Sequence, residues 1–199
     1  MNIVAENLGK RFNREWVFRN LNYQFNSGNT YVITGPNGSG KSTLMQVLWG
    51  QMQPSKGAVH YSGIENAEIF RSIAIAAPYM DLIEEFTLEE MIHFHFKFKR
   101  NILPIDKIIE RSEMSSSLKK SISTFSSGMK QRLKLVLAFF SDCNALFLDE
   151  PCTNLYKKSI EWYHQNLSEV SVNSITFIAS NQEIEYPASA SKLDILSYK

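Results

Sequence analysis

The chain has 199 residues, a length typical of one domain, and 44% of them are hydrophobic, which excludes a disordered chain. Its formal net charge of +1 gives no reason to expect a nucleic acid partner, because nucleic acid binding usually requires an excess of basic residues. We find no signal-peptide pattern and no apolar run long enough to cross a bilayer, and we expect Cys143 and Cys152 to be reduced.

The first motif in chain order is a glycine-rich loop between a predicted strand and a predicted helix. Tyr31–Thr34 is a short apolar run that favours a buried strand, and Lys41–Trp49 has the pattern of a helix that ends before a glycine. Between them the spacing Gly-x-x-x-x-Gly-Lys-Ser is that of a phosphate-binding P-loop, in which backbone N–H groups and a lysine surround phosphate oxygens and a serine can ligate Mg²⁺. The predicted nucleotide-binding residues are Gly35, Pro36, Asn37, Gly38, Ser39, Gly40, Lys41, Ser42 and Thr43.

The middle of the chain is predicted to be helical, although part of it alternates like a strand. His93–Lys99 alternates polar and apolar residues, but Thr87 and Glu90 have the spacing of a capping box at a helix start. We therefore predict a helix with an aromatic flank, Phe94–Phe98, which either packs on the core or faces a partner. A second helix is predicted over Ile105–Met114.

Two further motifs follow. Ser126-Ser127-Gly128 opens a predicted helix that continues through an apolar run, and this arrangement either cradles an anion or merely caps the helix. Ala145–Leu148 is an apolar strand that ends in Asp149-Glu150-Pro151. One carboxylate at the tip of a buried parallel strand can hold Mg²⁺, and the next can polarise an attacking water.

The order of these three motifs over nearly the whole chain resembles that of the ATP-binding cassette (ABC) ATPases. The run Ser-Ser-Gly-Met-Lys-Gln-Arg is similar to the signature motif of that family. The resemblance implies an α/β fold, namely a P-loop NTPase with a RecA-like core and a helical subdomain that carries the signature motif. We expect a single ABC ATPase domain over residues 1–199, with the core at about 1–83 and 141–199 and the helical subdomain at about 84–140.

The resemblance also implies how ATP and Mg²⁺ are bound. Phe12 matches the family's aromatic residue that stacks on adenine, Ser42 and Asp149 match the Mg²⁺ ligands, and Glu150 matches the catalytic carboxylate. Two such domains enclose two ATP molecules in the family. We therefore expect a homodimer or a heterodimer in which the partner's ATP is contacted by Ser126, Ser127 and Gly128.

Three positions depart from the family pattern. The family's Gln after the strand predicted at Ile73–Ala77 falls at Pro78, whose side chain offers no polar contact. The Asp expected at the end of the loop after Asp-Glu-Pro is matched by Tyr156. The His that contacts the γ-phosphate is replaced by Asn181, a second catalytic candidate, which can donate a hydrogen bond but cannot carry charge.

The residues that hold phosphate are thus complete, whereas those that sense the γ-phosphate are altered. The resemblance implies an ATP-binding and hydrolysing subunit of an ABC transporter, located in the cytoplasm and attached to the inner face of the membrane through a separate transmembrane permease. Two alternatives stay open. One is a regulatory or slowly hydrolysing cassette that dimerises on ATP, and the other is a soluble ABC ATPase without a role in transport.

Overall fold

The structure is a computed structural model that describes residues 1–199, apart from the side chain of Asn66. It is a mixed α/β structure, as the sequence predicts. The strands are β1 (Asn2–Phe12), β2 (Glu15–Asn26), β3 (Thr30–Thr34), β4 (Lys56–Ser62), β5 (Ile73–Ala76), β6 (Ala145–Asp149), β7 (Ile175–Ala179) and β8 (Ser191–Asp194). The helices are α1 (Lys41–Leu48), α2 (Leu88–Phe98), α3 (Ile105–Ser112), α4 (Ser127–Phe139) and α5 (Lys157–Val170), and none of these is long and apolar enough to span a membrane.

The strands form two sheets. An antiparallel sheet has the order β2-β1-β4, and a parallel sheet has the order β5-β6-β7-β3-β8. Every residue of β6 and β7 is buried, as expected for strands in the middle of a parallel sheet that is covered on both faces. Strands β6, β7 and β3 are parallel neighbours joined by crossover connections. Their carboxyl ends therefore lie side by side at one end of the sheet.

Aromatic side chains fill the space between the two sheets. Phe147 of β6 and Phe177 of β7 stack with ring centroids 4.5 Å apart, and Phe25 of β2 meets Phe177 edge to face at 4.8 Å. Trp49, directly after α1, contacts Phe147 at 5.2 Å. This packing holds α1 and both sheets in one hydrophobic core, so the loop that precedes α1 rests on a rigid base.

The helical part of the chain begins with the predicted capping box. The Thr87 N–H donates to Oε2 of Glu90 at 2.8 Å, and the Glu90 N–H donates to Oγ1 of Thr87 at 3.2 Å, which confirms a helix rather than a strand. The aromatic flank divides, because Phe96 packs against the core while Phe94 and Phe98 are exposed. Phe96 thus makes the core contact that the sequence left open, whereas a partner at Phe94 and Phe98 stays a prediction.

Helix α4 connects the helical part to the sheet. Leu133 and Leu137 of α4 pack with residues of α2, whereas Leu135 and Val136 pack with β6 and α5. One helix thus belongs to two hydrophobic clusters, and the helical part is packed on the core rather than separate from it. The subdomain boundaries at about 84 and 140 remain our proposal.

Candidate nucleotide-binding site

The candidate site is a cleft at the edge where β3, β6 and β7 end. Carboxyl ends of parallel strands are the usual place for ligands in α/β sheets. The cleft has a volume of about 480 Å³ and is lined by Phe12, Val17, Asn37, Gly38, Gly40, Lys41, Ser42, Thr43 and Glu150. The structure therefore brings together the predicted adenine-stacking residue, most of the predicted P-loop and the predicted catalytic carboxylate.

The P-loop adopts a backbone shape that requires glycine at two positions. Gly35 has φ 143° and Gly40 has φ 106°, both in the region that favours glycine. A Cβ atom at Gly40 would lie 2.2 Å from Cγ1 of Val17, and one at Gly35 would lie 2.7 Å from Cγ2 of Ile195. Because the loop is enclosed by neighbouring side chains, both conformation and space exclude any larger residue at these positions.

The start of α1 offers N–H groups that no side chain satisfies. Gly40 occupies the N-cap position without a side-chain cap, and the first turn of α1 holds no acidic residue. The N–H groups and the positive end of the helix dipole are therefore available to an anion. Ser39 Oγ is also buried and has no hydrogen-bond partner among the described residues, and such an unpartnered group fits a phosphate ligand.

Lys41 is buried, and its ammonium binds the loop itself. Its Nζ donates to the carbonyl oxygens of Gly35 at 2.9 Å and of Pro36 at 3.2 Å. These contacts hold the charge beside the loop where a phosphate would bind, and a phosphate oxygen offers a stronger, charge-assisted bond than a carbonyl. The arrangement fits the β- and γ-phosphates of a nucleotide.

Asp149, at the end of β6, has the features of a cation ligand. Its Oδ2 atom is buried and has no hydrogen-bond partner among the described residues. Burial raises the pKa of Asp149, and the interaction with the Ser42 hydroxyl opposes that rise. A buried carboxylate oxygen without a partner, next to a serine hydroxyl, fits Mg²⁺, which prefers oxygen ligands.

Glu150 holds an unusual backbone conformation at the mouth of the cleft. Its φ of 45° is uncommon for a residue other than glycine, and strain of this kind persists only where surrounding contacts fix it. The Glu150 N–H donates to the carbonyl of Ala179 in β7 at 3.0 Å, and the Thr153 hydroxyl donates to Oε2 of Glu150 at 3.5 Å. The fold thus directs this carboxylate into the cleft instead of leaving it on a flexible turn.

Tyr79 brings a hydroxyl group next to the place of the family's Gln. That place falls at Pro78, which has no polar side chain, and the loss of the family's contact stays a prediction. Burial raises the pKa of Tyr79, and the negative charge of Asp149 adds to that rise. Tyr79 therefore lies close to the predicted Mg²⁺ ligand, a proximity that residue order alone did not reveal.

The turn that carries Tyr79 is held from α4. Lys134 Nζ donates to the carbonyl oxygen of Pro78 at 2.9 Å and to that of Ala77 at 3.3 Å, and the Met80 N–H donates to the carbonyl of Ala77 at 3.2 Å. The position of Tyr79 therefore depends on the helix that begins with the signature motif.

Asn181 contacts the P-loop, and Phe12 lines the cleft beside it. Asn181 Nδ2 donates to Oδ1 of Asn37 in the P-loop at 3.1 Å, which places the residue predicted to replace the switch histidine next to the loop. Phe12 is 49% exposed at the end of β1, with Lys10 Nζ 5.3 Å from its ring centroid. An exposed ring beside the loop is compatible with stacking on a base.

Two of the three signature residues, Ser126 and Gly128, line a second cleft. Ser126 caps α4 by accepting a hydrogen bond from the Met129 N–H at 3.2 Å, and Ser127 is the first residue of the helix. This cleft, of about 260 Å³, is lined among others by Ser126, Gly128, Asn154 and Tyr156, of which Tyr156 is 82% exposed. Ser126, Ser127 and Gly128 are not among the described residues that line the P-loop cleft.

Glu185 is a buried carboxyl group that the sequence analysis missed. Its Oε1 accepts the Cys152 N–H at 2.9 Å, and its backbone carbonyl accepts the Tyr163 hydroxyl at 2.8 Å. Burial raises the pKa of Glu185, and the nearby carboxylates Glu150 and Asp149 add to that rise. Through its bond to Cys152, Glu185 thus holds the loop after Glu150 in place. No sequence motif marks it, since it lies in a short turn after β7.

Comparisons with known proteins agree with this geometry. A family model described as ABC transporter matches residues 18–153. An uncharacterised ABC transporter ATP-binding protein of Bacillus subtilis is 28% identical over 92% of this chain and 86% of its own length. A lantibiotic transport ATP-binding protein of Streptococcus pyogenes is 26% identical over 94% of this chain and 83% of its own length.

Two further similarities extend the comparison. A Nod factor export ATP-binding protein of Neorhizobium galegae is 33% identical over 70% of this chain. The matched region covers only 43% of that protein's length. Among solved structures, a putative ABC transporter ATP-binding protein of Pyrococcus furiosus superposes with a TM-score of 0.85 over 100% of this chain and 99% of its own, at 19% identity. The structural similarity shows a shared fold.

The Lys41 contacts yield a first testable prediction. Replacing Lys41 by Ala removes a charge-assisted contact worth roughly 1.5–3 kcal/mol, so MgATP should bind at least about tenfold more weakly. Isothermal titration calorimetry of both proteins measures the difference, and thermal unfolding checks that the variant is folded. Equal affinities would contradict the P-loop assignment.

Proposed function

Since the chain belongs to the ABC transporter family as an ATP-binding subunit, we propose that it binds MgATP, hydrolyses it and thereby powers transport through a separate membrane subunit. The observation that carries this proposal is the cleft lined by the uncapped start of α1, Lys41 and Glu150, with the buried, unpartnered oxygen of Asp149 next to Ser42. The names of the relatives, which refer to transport, favour this function over a soluble ATPase outside transport. Two of these names, for lantibiotic transport and Nod factor export, favour an export system.

In this proposal the chain holds ATP from three sides. The backbone N–H groups of the P-loop and Lys41 bind the phosphates, and Phe12 stacks on the adenine. Ser42 and Asp149 hold Mg²⁺, which supplies positive charge to the β- and γ-phosphates when bound. Tyr79 lies close to Asp149, because the charge of Asp149 adds to the rise in the Tyr79 pKa that burial causes.

Hydrolysis is assigned to Glu150 with Asn181 in support. The Glu150 carboxylate lines the cleft and is fixed through the backbone of β7, so it can accept a proton from an attacking water. Asn181 lies within hydrogen-bond distance of the P-loop and can donate to the γ-phosphate, but it carries no charge. We infer that ATP is held firmly and hydrolysed slowly, because the binding groups are complete while a charged donor is missing.

The exposed aromatic residues at the end of α2 support attachment to a membrane subunit. Phe98 is 69% exposed and Phe70 is 68% exposed, and the segment that carries Phe70 contacts this end of α2, because Lys99 Nζ donates to the carbonyl of Phe70 at 2.6 Å. Arg71 and Arg100 line the groove beside Phe98. An exposed apolar patch with a polar rim is typical of a protein interface, and we propose that the permease binds here.

Variants of the altered positions test slow hydrolysis. Glu150→Gln should reduce phosphate release to background while MgATP affinity is retained, because only the group that polarises water is lost. Asn181→His should raise turnover by restoring a charged donor, and Pro78→Gln should raise it further by restoring the polar side chain that the family has at this place. Removing a catalytic donor altogether costs about 10²–10³ in rate in other enzymes, so Asn181→Leu should lower turnover.

Steady-state phosphate release should be measured on all four variants with the membrane subunit present. An ordinary rate for the wild type together with a decrease in Asn181→His would contradict slow hydrolysis. Asn181 would then replace the family's histidine without a loss of activity. Calorimetry with MgATP separates a loss of binding from a loss of turnover.

A dimer that shares its nucleotides yields a further prediction. Ser126→Arg should fill the signature cleft and prevent ATP-dependent association, whereas MgATP should still bind to the chain's own P-loop, because Ser126 lies in the other cleft. Sedimentation velocity with a non-hydrolysable ATP analogue measures association, and Ser168→Arg in the exposed part of α5 is a matched control. ATP-dependent dimers that persist in Ser126→Arg would contradict a dimer in which Ser126 contacts the partner's ATP.

The aromatic patch yields a prediction on membrane attachment. Phe98→Ser should increase the fraction of the chain that remains in the supernatant after membranes of the native host are sedimented. Val172→Ser, another large exposed residue at 66% exposure, is the matched control and should leave the distribution unchanged. Equal distributions for wild type, Phe98→Ser and a Phe70→Ser/Phe98→Ser double variant would contradict the proposed contact.

A further inference from the structure

The segment after β8 leaves the sheet beside the P-loop. β8 pairs in parallel with β3, and Asp194 lies opposite Thr34, the residue that immediately precedes the loop. Oδ1 of Asp194 accepts the Leu196 N–H at 3.0 Å and starts the short turn Ile195–Tyr198. Pairing and turn together direct the chain from Ile195 to Lys199 across the outside of the loop.

This segment contacts the P-loop at two points. Ile195 is fully buried, and its Cγ2 atom occupies the space that a side chain at Gly35 would need. Lys199 Nζ donates a hydrogen bond to the carbonyl oxygen of Ser39 at 2.8 Å. The main-chain oxygen of Lys199 accepts a bond from Nε of Arg19 in β2 at 3.1 Å, so the backbone of Lys199 is itself anchored.

The contact with Ser39 differs from the contacts made by Lys41. Lys41 binds the carbonyls of Gly35 and Pro36 with the same ammonium that would bind a phosphate. Lys199 is not among the described residues that line the cleft, so its bond to the loop does not compete with a ligand. It can persist when Lys41 turns towards the phosphates.

We propose that Lys199 is a positioning residue, which holds the P-loop in its phosphate-binding shape through the carbonyl of Ser39. A glycine-rich loop has many accessible backbone conformations, and a contact that restricts them before the ligand arrives reduces the entropy cost of binding. The inference rests on the proposed function, because it concerns the same nucleotide site. It adds a residue outside all three motifs to that site.

The test compares Lys199→Met with Lys199→Arg. Lys199→Met keeps the length of the side chain and removes the charge and the donor, so MgATP should bind about three- to tenfold more weakly, the effect of losing one hydrogen bond. Lys199→Arg keeps a charged donor and should restore most of the affinity. Lys192→Met is the matched control, because Lys192 is exposed in β8 and pairs with Glu183 rather than with the loop.

Hydrogen–deuterium exchange supplies a readout that needs no nucleotide. Amides of the loop residues 35 and 37–40 should exchange faster in Lys199→Met than in the wild type or in Lys192→Met, while β3 and α1 should stay equally protected. If affinity and exchange are unchanged in Lys199→Met, or if MgATP binds it more tightly, the inference is wrong.

The two readouts keep this inference apart from the proposed function. A wild type that fails to bind MgATP at all would overturn the proposed function, whereas loop exchange would still report on Lys199. Should Lys199→Met unfold at the temperature of the experiment, Lys199→Gln replaces it under the same expectations, with Lys192→Gln as its control.

Discussion

The site depends on one row of residues across three parallel strands. Ala179 of β7 lies opposite Ile33 of β3 on one side and opposite Asp149 of β6 on the other. The same row supplies the carbonyl of Ala179 to the Glu150 N–H and the carbonyl of Ile33 to the Ser180 N–H. The P-loop, the proposed cation ligand Asp149 and the proposed catalytic carboxylate Glu150 therefore follow directly from one row of paired residues, and a shift in register would separate them by a full residue.

Charge within the site is arranged so that a ligand completes it. Asp149 is buried at the end of β6, and burial together with the nearby Glu150 carboxylate raises its pKa. The facing side of the cleft offers Lys41 and the uncapped N–H groups of α1. Negative groups thus lie at the strand ends and positive groups at the helix start, and a divalent cation with a polyphosphate satisfies both sides at once.

The sequence predicted those parts of the site that depend on local chain geometry. A strand, a glycine-rich loop and a helix follow one another in the chain, so the P-loop could be identified from spacing alone, and the same holds for the strand that ends in Asp149 and Glu150. Tyr79, Glu185 and Lys199 could not be found in this way. Their contacts join segments that lie far apart in the chain, and residue type at one position does not reveal which distant backbone atom lies beside it.

Gly128 has a consequence for how sequences of this kind can diverge. A Cβ atom at Gly128 would lie 2.7 Å from the carbonyl oxygen of Asn154, which itself holds φ 65° in the loop after Glu150. Neither residue can be exchanged freely while the other stays in place, because the first lacks room and the second occupies a conformation that few side chains tolerate. Substitutions at the two positions are therefore expected to be inherited together. A chimera that exchanges the start of α4 without the loop after Glu150 would combine two segments that do not fit each other.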